Sequence, residues 1–334
     1  MKRVCAVALL FIAGACLFGA ASAETIKLGV SRLASCAPIA IARDKGYFAA
    51  QRLEPELIYF DAQQPIAVAV VSGDIDFGIA AETAALYSLA GQGQLRVIGG
   101  GPNEAPGFHY LAILASNRAY AAGLTSPKDI GGHSVALTQL GSGLQYSMGL
   151  LAEKYGFDIK TVSFLPLQSN ANVASALAGG QADASIFSST GALPLIEKGD
   201  VKLLGWVGDE TGLDQAYLFI TGKKAADERR GTIERLLRAF RKATHDYHDA
   251  FTDASGKRAD GPNAPAILAI IANYLGQPVE RVKIGLPYYD RDARVGAKSV
   301  QHQIDWYESQ GLLKGEISAD AFIDRRYVIP LPDH

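Results

Sequence analysis

The residues best suited to chemistry in this chain are short polar groups placed where strand patterns give way to helical ones. Gly141-Ser142-Gly143 opens a helical pattern after the strand-like run His133 to Thr138. The unpaired N–H groups of a helix start, with a serine hydroxyl beside them, suit an anion or a strong acceptor; the same serine can also serve simply as an N-cap. An equivalent loop nearer the N-terminus carries Arg32, Ser35 and Cys36 ahead of Pro38. Arg32 can clamp a carboxylate or sulfonate with two parallel hydrogen bonds, or lie solvated on the surface. Cys36 is either a small buried apolar residue or a thiol made reactive by a helix start. Glu82 and Thr83 follow a third strand pattern, where Glu82 suits a ligand bearing an amine or serves as a carboxylate near a helix start. Ser188-Ser189-Thr190, at a further strand exit, form a polar, hydrogen-bonding wall. Phe108, His109 and Tyr110 offer faces for stacking a flat ligand or for core packing.

Other candidates carry less. His245 and His248 share a helix face, with Asp246 and Asp249 beside them. Two histidines without a third ligand at suitable spacing make a poor metal site, and a solvated helix face accounts for the group. Tyr288-Tyr289 after Pro287 reads as loop packing. No cofactor or metal is called for.

The elements that must position these groups alternate. Ile26 to Val30, Leu57 to Phe60, Ile75 to Ala80 and Leu95 to Gly99 read as strands, separated by helices over Pro38 to Tyr47, Pro65 to Val71 and Thr83 to Ala90. The order recurs from His133 to Trp206. Ser72-Gly73-Asp74-Ile75-Asp76-Phe77 aligns with Gly179-Gly180-Gln181-Ala182-Asp183-Ala184, and Asp76 and Asp183 stand 107 residues apart. Two such α/β halves predict two lobes with a ligand cleft beyond the strand ends. Phe108 to Leu114 and Ala216 to Thr221 are the expected crossings. The amphipathic helix Thr232 to Ala250 and the patterns over Pro265 to Leu275 and Ser299 to Gln310 are expected to pack on the first lobe. The boundaries follow: 24–109 plus 216–334 for the first lobe and 110–215 for the second.

Charge narrows the partners. Lys+Arg 32 against Asp+Glu 34 in 334 residues leaves no basic surplus for phosphates, which argues against nucleic acid. Residues 1–23 read as a signal peptide: Lys2-Arg3, then an apolar run from Val4 to Phe18, then Ala21-Ser22-Ala23. Lipoprotein processing at Cys16 is the competing reading. Cys5 and Cys16 leave with the leader, so Cys36 has no disulfide partner and the fold rests on its hydrophobic core.

Pro38, Lys45-Gly46-Tyr47-Phe48, Ser72-Gly73-Asp74-Ile75-Asp76-Phe77-Gly78, Leu124 to Gly132, Gly141-Ser142-Gly143, Ile304-Asp305-Trp306 and Gln310-Gly311-Leu312 occur in an order that resembles solute-binding proteins of ABC importers. The subgroup is that for nitrate, taurine, alkanesulfonates and thiamine pyrimidine precursors. The resemblance implies an α/β, two-lobed periplasmic-binding-protein fold of type II, each lobe a mostly parallel sheet flanked by helices. It also implies a periplasmic, non-catalytic monomer that captures a small polar or anionic organic molecule for an inner-membrane permease. The expected ligand contacts are Arg32, Ser35, Cys36, Glu82, Thr83, His109, Gly141, Ser142, Gly143, Ser188, Ser189 and Thr190. Ser35-Cys36-Ala37-Pro38 also looks similar to the catalytic-cysteine segment of a desulfinase family on this scaffold, which makes a Cys36 nucleophile the alternative. No histidine near Asp61 to Gln64 and no arginine over Ala69 to Ser72 supplies that family's partners. The cysteine-rich segment of the yeast thiamine-pyrimidine synthases is also lacking.

Overall fold

A computed structural model describes residues 22–61 and 63–332. The expected leader, with Cys5 and Cys16, lies outside them except for Ser22 and Ala23. Strands β1 (Glu24–Val30), β2 (Leu53–Tyr59), β3 (Phe77–Ala81) and β4 (Leu95–Gly100) alternate with helices Ala37–Asp44, Gln64–Ser72 and Ala84–Gly91. After β5 (Pro102–Glu104) come β6 (Leu111–Ser116), β7 (Ser134–Leu137), β8 (Ser163–Pro166), β9 (Ala184–Ser188) and β10 (Val201–Trp206). Their helices are Gly143–Tyr155, Asn170–Ala178 and Ser189–Lys198. Next are β11 (Asp214–Gln215) and β12 (Tyr217–Gly222), then helices Arg230–Phe251 and Ala264–Leu275, β13 (Tyr288–Tyr289) and helix Ala297–Ser309.

Two five-stranded sheets result, ordered β2-β1-β3-β12-β4 and β8-β7-β9-β6-β10. In each, the first three strands run parallel and the fourth runs antiparallel to both neighbours. The antiparallel strands are the ones that arrive from the other lobe. A third sheet, β11-β5-β13, lies at these crossings.

The repeat read from the sequence is a repeat of bonds. Lys27 donates its N–H to Asp76 Oδ2 at 2.8 Å, and Ser134, 107 residues on, donates to Asp183 Oδ2 at 3.0 Å. The aspartate N–H groups return bonds to the carbonyls of Lys27 and Ser134. Each aspartate ties the start of the middle strand to the strand beside it, which fixes the register of the pair.

Helix Arg230–Phe251 buries Ile233, Leu236, Leu237, Phe240 and Thr244, the expected stripe. It packs on helices Ala37–Asp44 and Ala264–Leu275, in the first lobe. Each large apolar side chain fully buried there contributes about 1.5–3 kcal/mol. Tyr288-Tyr289, expected as loop packing, instead forms β13 against β5. A two-residue strand has no periodicity to read.

Candidate functional site

The carboxyl ends of the two large sheets and the small crossing sheet enclose a cavity of about 860 Å³, its open mouth included.

One wall is made of helix starts. Thr83 caps helix Ala84–Gly91, its hydroxyl accepting from the Leu86 N–H at 3.1 Å. Ser142 caps helix Gly143–Tyr155, accepting from the Gln145 N–H at 3.4 Å. Gly141, at φ +70°, takes the left-handed turn that lets its carbonyl accept from the Ala84 N–H of the opposite lobe at 2.9 Å. Its own N–H donates to Gln145 Oε1 at 2.7 Å. The two helix starts therefore meet across the cleft, and Gly143, Leu144, Tyr146, Ser147 and Ser188 complete this wall.

The facing wall is the crossing sheet. Antiparallel pairing of β5 with β11 sets Glu104 opposite Asp214. Asp214 borders the cavity and accepts from Ser299 Oγ at 2.6 Å. Burial raises its pKa to about 6, against the hydrogen bond from Ser299 and the charge of His302, which lower it. Glu104 is 2% exposed, and neither carboxylate oxygen has a hydrogen-bond partner. Burial first, then Asp214, push its pKa well above the carboxylate range. The backbone N–H groups of Gly208 and Leu111 approach it and favour its charged form, without reaching the geometry of a full hydrogen bond at either carboxylate oxygen. Ala216 and Tyr217 continue this wall, and the Tyr217 hydroxyl accepts from Tyr110 Oη at 2.8 Å behind it.

Of the residues expected from the sequence, Thr83, Ser142, Gly143 and Ser188 line the cavity. Gly141 is buried directly behind Ser142. The others lie outside the lining. Arg32 is exposed, with its guanidinium 4.1 Å over the Tyr59 ring. Ser35 and Cys36 are both fully buried, and Cys36 Sγ lies 3.5 Å from the Ser31 N–H. Glu82 alternates with Thr83 and so turns inward, where its carboxylate bonds the Tyr87 hydroxyl. Burial pushes the Glu82 pKa well up. The Tyr87 hydroxyl also lies 2.8 Å from Gln303 Oε1, a lining residue, so Glu82 reaches the cavity only through that relay. His109 stacks on Trp206 with ring centroids 4.7 Å apart and faces Asp209. Ser189 donates to the Gly285 carbonyl at 2.8 Å, and the Thr190 carbonyl accepts from Gln277 at 3.0 Å; both contacts bridge the lobes.

His245 pairs with Asp292 and Asp246 with Lys45, each on a different neighbour. Among the described residues there is no group of three or more His, Cys, Asp or Glu side chains that could hold a metal ion, and no helix is long and apolar enough to cross a membrane.

Sequence reasoning missed Asp61, Gln63, Glu104, Gln139, Asp214 and Gln303, all lining residues. Most sit in loops or in strands too short to announce themselves. The charge of the lining was also missed. Asp61, Glu104 and Asp214 border the cavity, and no described Lys, Arg or His does.

Two sheets with exchanged antiparallel strands and a cleft between them define the periplasmic-binding-protein fold. Solved structures agree. The alkanesulfonate-binding protein SsuA from Xanthomonas axonopodis pv. citri, bound to MOPS, aligns with a TM-score of 0.69 at 19% identity, covering 91% of this chain and 99% of that one. The periplasmic nitrate-binding protein NrtA from Synechocystis PCC 6803 aligns with a TM-score of 0.69 at 16% identity, covering 90% and 85%. The desulfurization enzyme DSZB aligns with a TM-score of 0.61 at 16% identity, covering 91% and 97%. No curated protein is detectably similar in sequence. Residues 34–254 match the family described as NMT1/THI5 like, and the chain belongs to that family.

Proposed function

We propose that the chain is the solute receptor of an ABC-type importer. Exported by its leader to the periplasm, it captures a small polar organic solute between lobes formed by residues 24–109 plus 216–334 and 110–215. It then offers the closed form to an inner-membrane permease. The observation that carries this reading is the cavity itself, set between matching strand ends of two repeated lobes and spanned by hydrogen bonds from each side. Family membership and the alkanesulfonate- and nitrate-binding proteins of the same fold support it. Closure needs only that the solute bind the closed state better than the open one.

The likeness to DSZB keeps a cysteine-dependent reaction in view. Cys36 counts against it here: the side chain is fully buried, outside the cavity lining, and burial raises its pKa. A nucleophile needs an accessible thiolate, which is favoured by the opposite environment. The reading is of a non-catalytic, monomeric receptor.

A solute panel tested by thermal shift, small-angle scattering and mass spectrometry decides it. A receptor shows a raised Tm at stoichiometric solute, a smaller radius of gyration and a chemically unchanged solute. Solute consumption, or stabilisation with no compaction, overturns the reading.

A further inference from the structure

The cavity is charged in a way that selects its ligand. Glu104 is buried, borders the cavity and leaves both carboxylate oxygens without a partner. Leaving a buried polar group unpaired is destabilising, and buried carboxylates elsewhere in proteins are paired. Asp214 stands directly opposite on β11, a position where like charges repel. The charge of His302 reaches Asp214 from outside the lining, but no described cationic side chain borders the cavity itself. The counter-charge is what the site lacks.

We infer that the cavity takes an organic cation, a protonated amine or guanidinium on a partly apolar body, whose N–H donors bond Glu104 and Asp214. This rests on the receptor reading above and names the class of solute. N–H to carboxylate bonds with both partners charged are the strong kind. The apolar body has Leu33, Leu111, Leu144, Phe187 and Tyr217 to pack on. A bare metal ion fits poorly, since the space far exceeds an ion and Glu104 and Asp214 lack the further ligands a metal needs. A sulfonate or carboxylate placed against this wall meets repulsion instead of pairing.

The test is calorimetry on the full mature chain with n-hexylammonium, phenethylammonium and hexylguanidinium, each beside its carboxylate and sulfonate counterpart. The cations are expected to bind, and Glu104→Gln and Asp214→Asn each to weaken them by about tenfold or more. Titration of the unmutated protein near pH 6 in two buffers of different ionisation enthalpy is expected to show proton release on binding, because a cation draws these carboxyls into their charged form. This measurement stands even if a variant fails to fold. Binding of the anionic counterparts without the cations overturns the inference and leaves the receptor reading intact. Equal stabilisation by Ca²⁺ or Mg²⁺ alone, reversed by a chelator, also overturns it. Failure of every solute, together with lobes that never close in scattering, sinks the receptor reading as well.

Discussion

The Ser142 wall and the Glu104 wall of the same cavity are built in opposite ways. On the first, the polar groups serve the local fold, since Ser142 and Thr83 cap helices and Gly141 turns the chain and joins the lobes. Those groups would be present in a well-capped protein of any function. On the second, Glu104 is buried with neither carboxylate oxygen in a well-formed hydrogen bond, the kind of group that burdens a fold. A polar group that serves the fold says little about ligand, whereas one that burdens the fold says a good deal.

Substitutions can break that contrast. The largest loss is expected from Gly208→Val beside β5. A Cβ at Gly208 falls 2.5 Å from the Ala105 carbonyl oxygen, which is backbone and cannot swing away. We expect about 3 kcal/mol less stability in denaturant unfolding, the upper part of the usual overpacking range, with cation binding lost alongside.

The next effect is in pH. Asp214 has a native pKa of about 6 against an ordinary 3.8, so between those values the folded protein holds more protons than the unfolded chain. Stability therefore falls as pH rises through that window, by up to about 3 kcal/mol. Asp214→Asn should remove that slope in ligand-free unfolding curves; an unchanged slope would mean that Asp214 ionises normally. Glu104→Gln should likewise stabilise the ligand-free protein above that window while weakening cation binding, a pairing of signs that a purely structural carboxylate does not give.

Ser142→Ala should cost about 1 kcal/mol as a lost N-cap. If the two walls differ as described, any loss of affinity follows from that loosening and is smaller than the loss from Glu104→Gln. The smallest effect is expected from Cys36→Ser, with affinity unchanged within about threefold and the native thiol slow to react with disulfide reagents, as for an inert buried cysteine. Rapid labelling of Cys36 in folded protein would reopen the reaction reading.

Much of the fold is legible because it is written twice. The 107-residue offset carries Asp76 onto Asp183 and Lys27 onto Ser134, and a repeated hydrogen bond leaves a repeated residue. Helix starts are legible because Gly, Ser and Thr mark them. The crossing sheet is not, since Pro102–Glu104, Asp214–Gln215 and Tyr288–Tyr289 are brought together from three distant places by tertiary packing alone. Glu82 shows the remaining gap. Its position at a strand exit can be read from the sequence, but one step of strand alternation decides whether it faces ligand or core, and Thr83 takes the cavity side.

The two short strands that carry the carboxyl pair, β5 and β11, are also where the chain passes from one lobe to the other. Charge at this fulcrum is thus mechanical as well as chemical. Charging both Glu104 and Asp214 across the β5–β11 ladder is unfavourable without a partner, and a cationic guest would offset that cost. Occupancy would then set the stiffness of the joint, and spin labels on the two jaws should report a narrower spread of separations with a cation bound than in a Glu104→Gln, Asp214→Asn double variant under the same conditions.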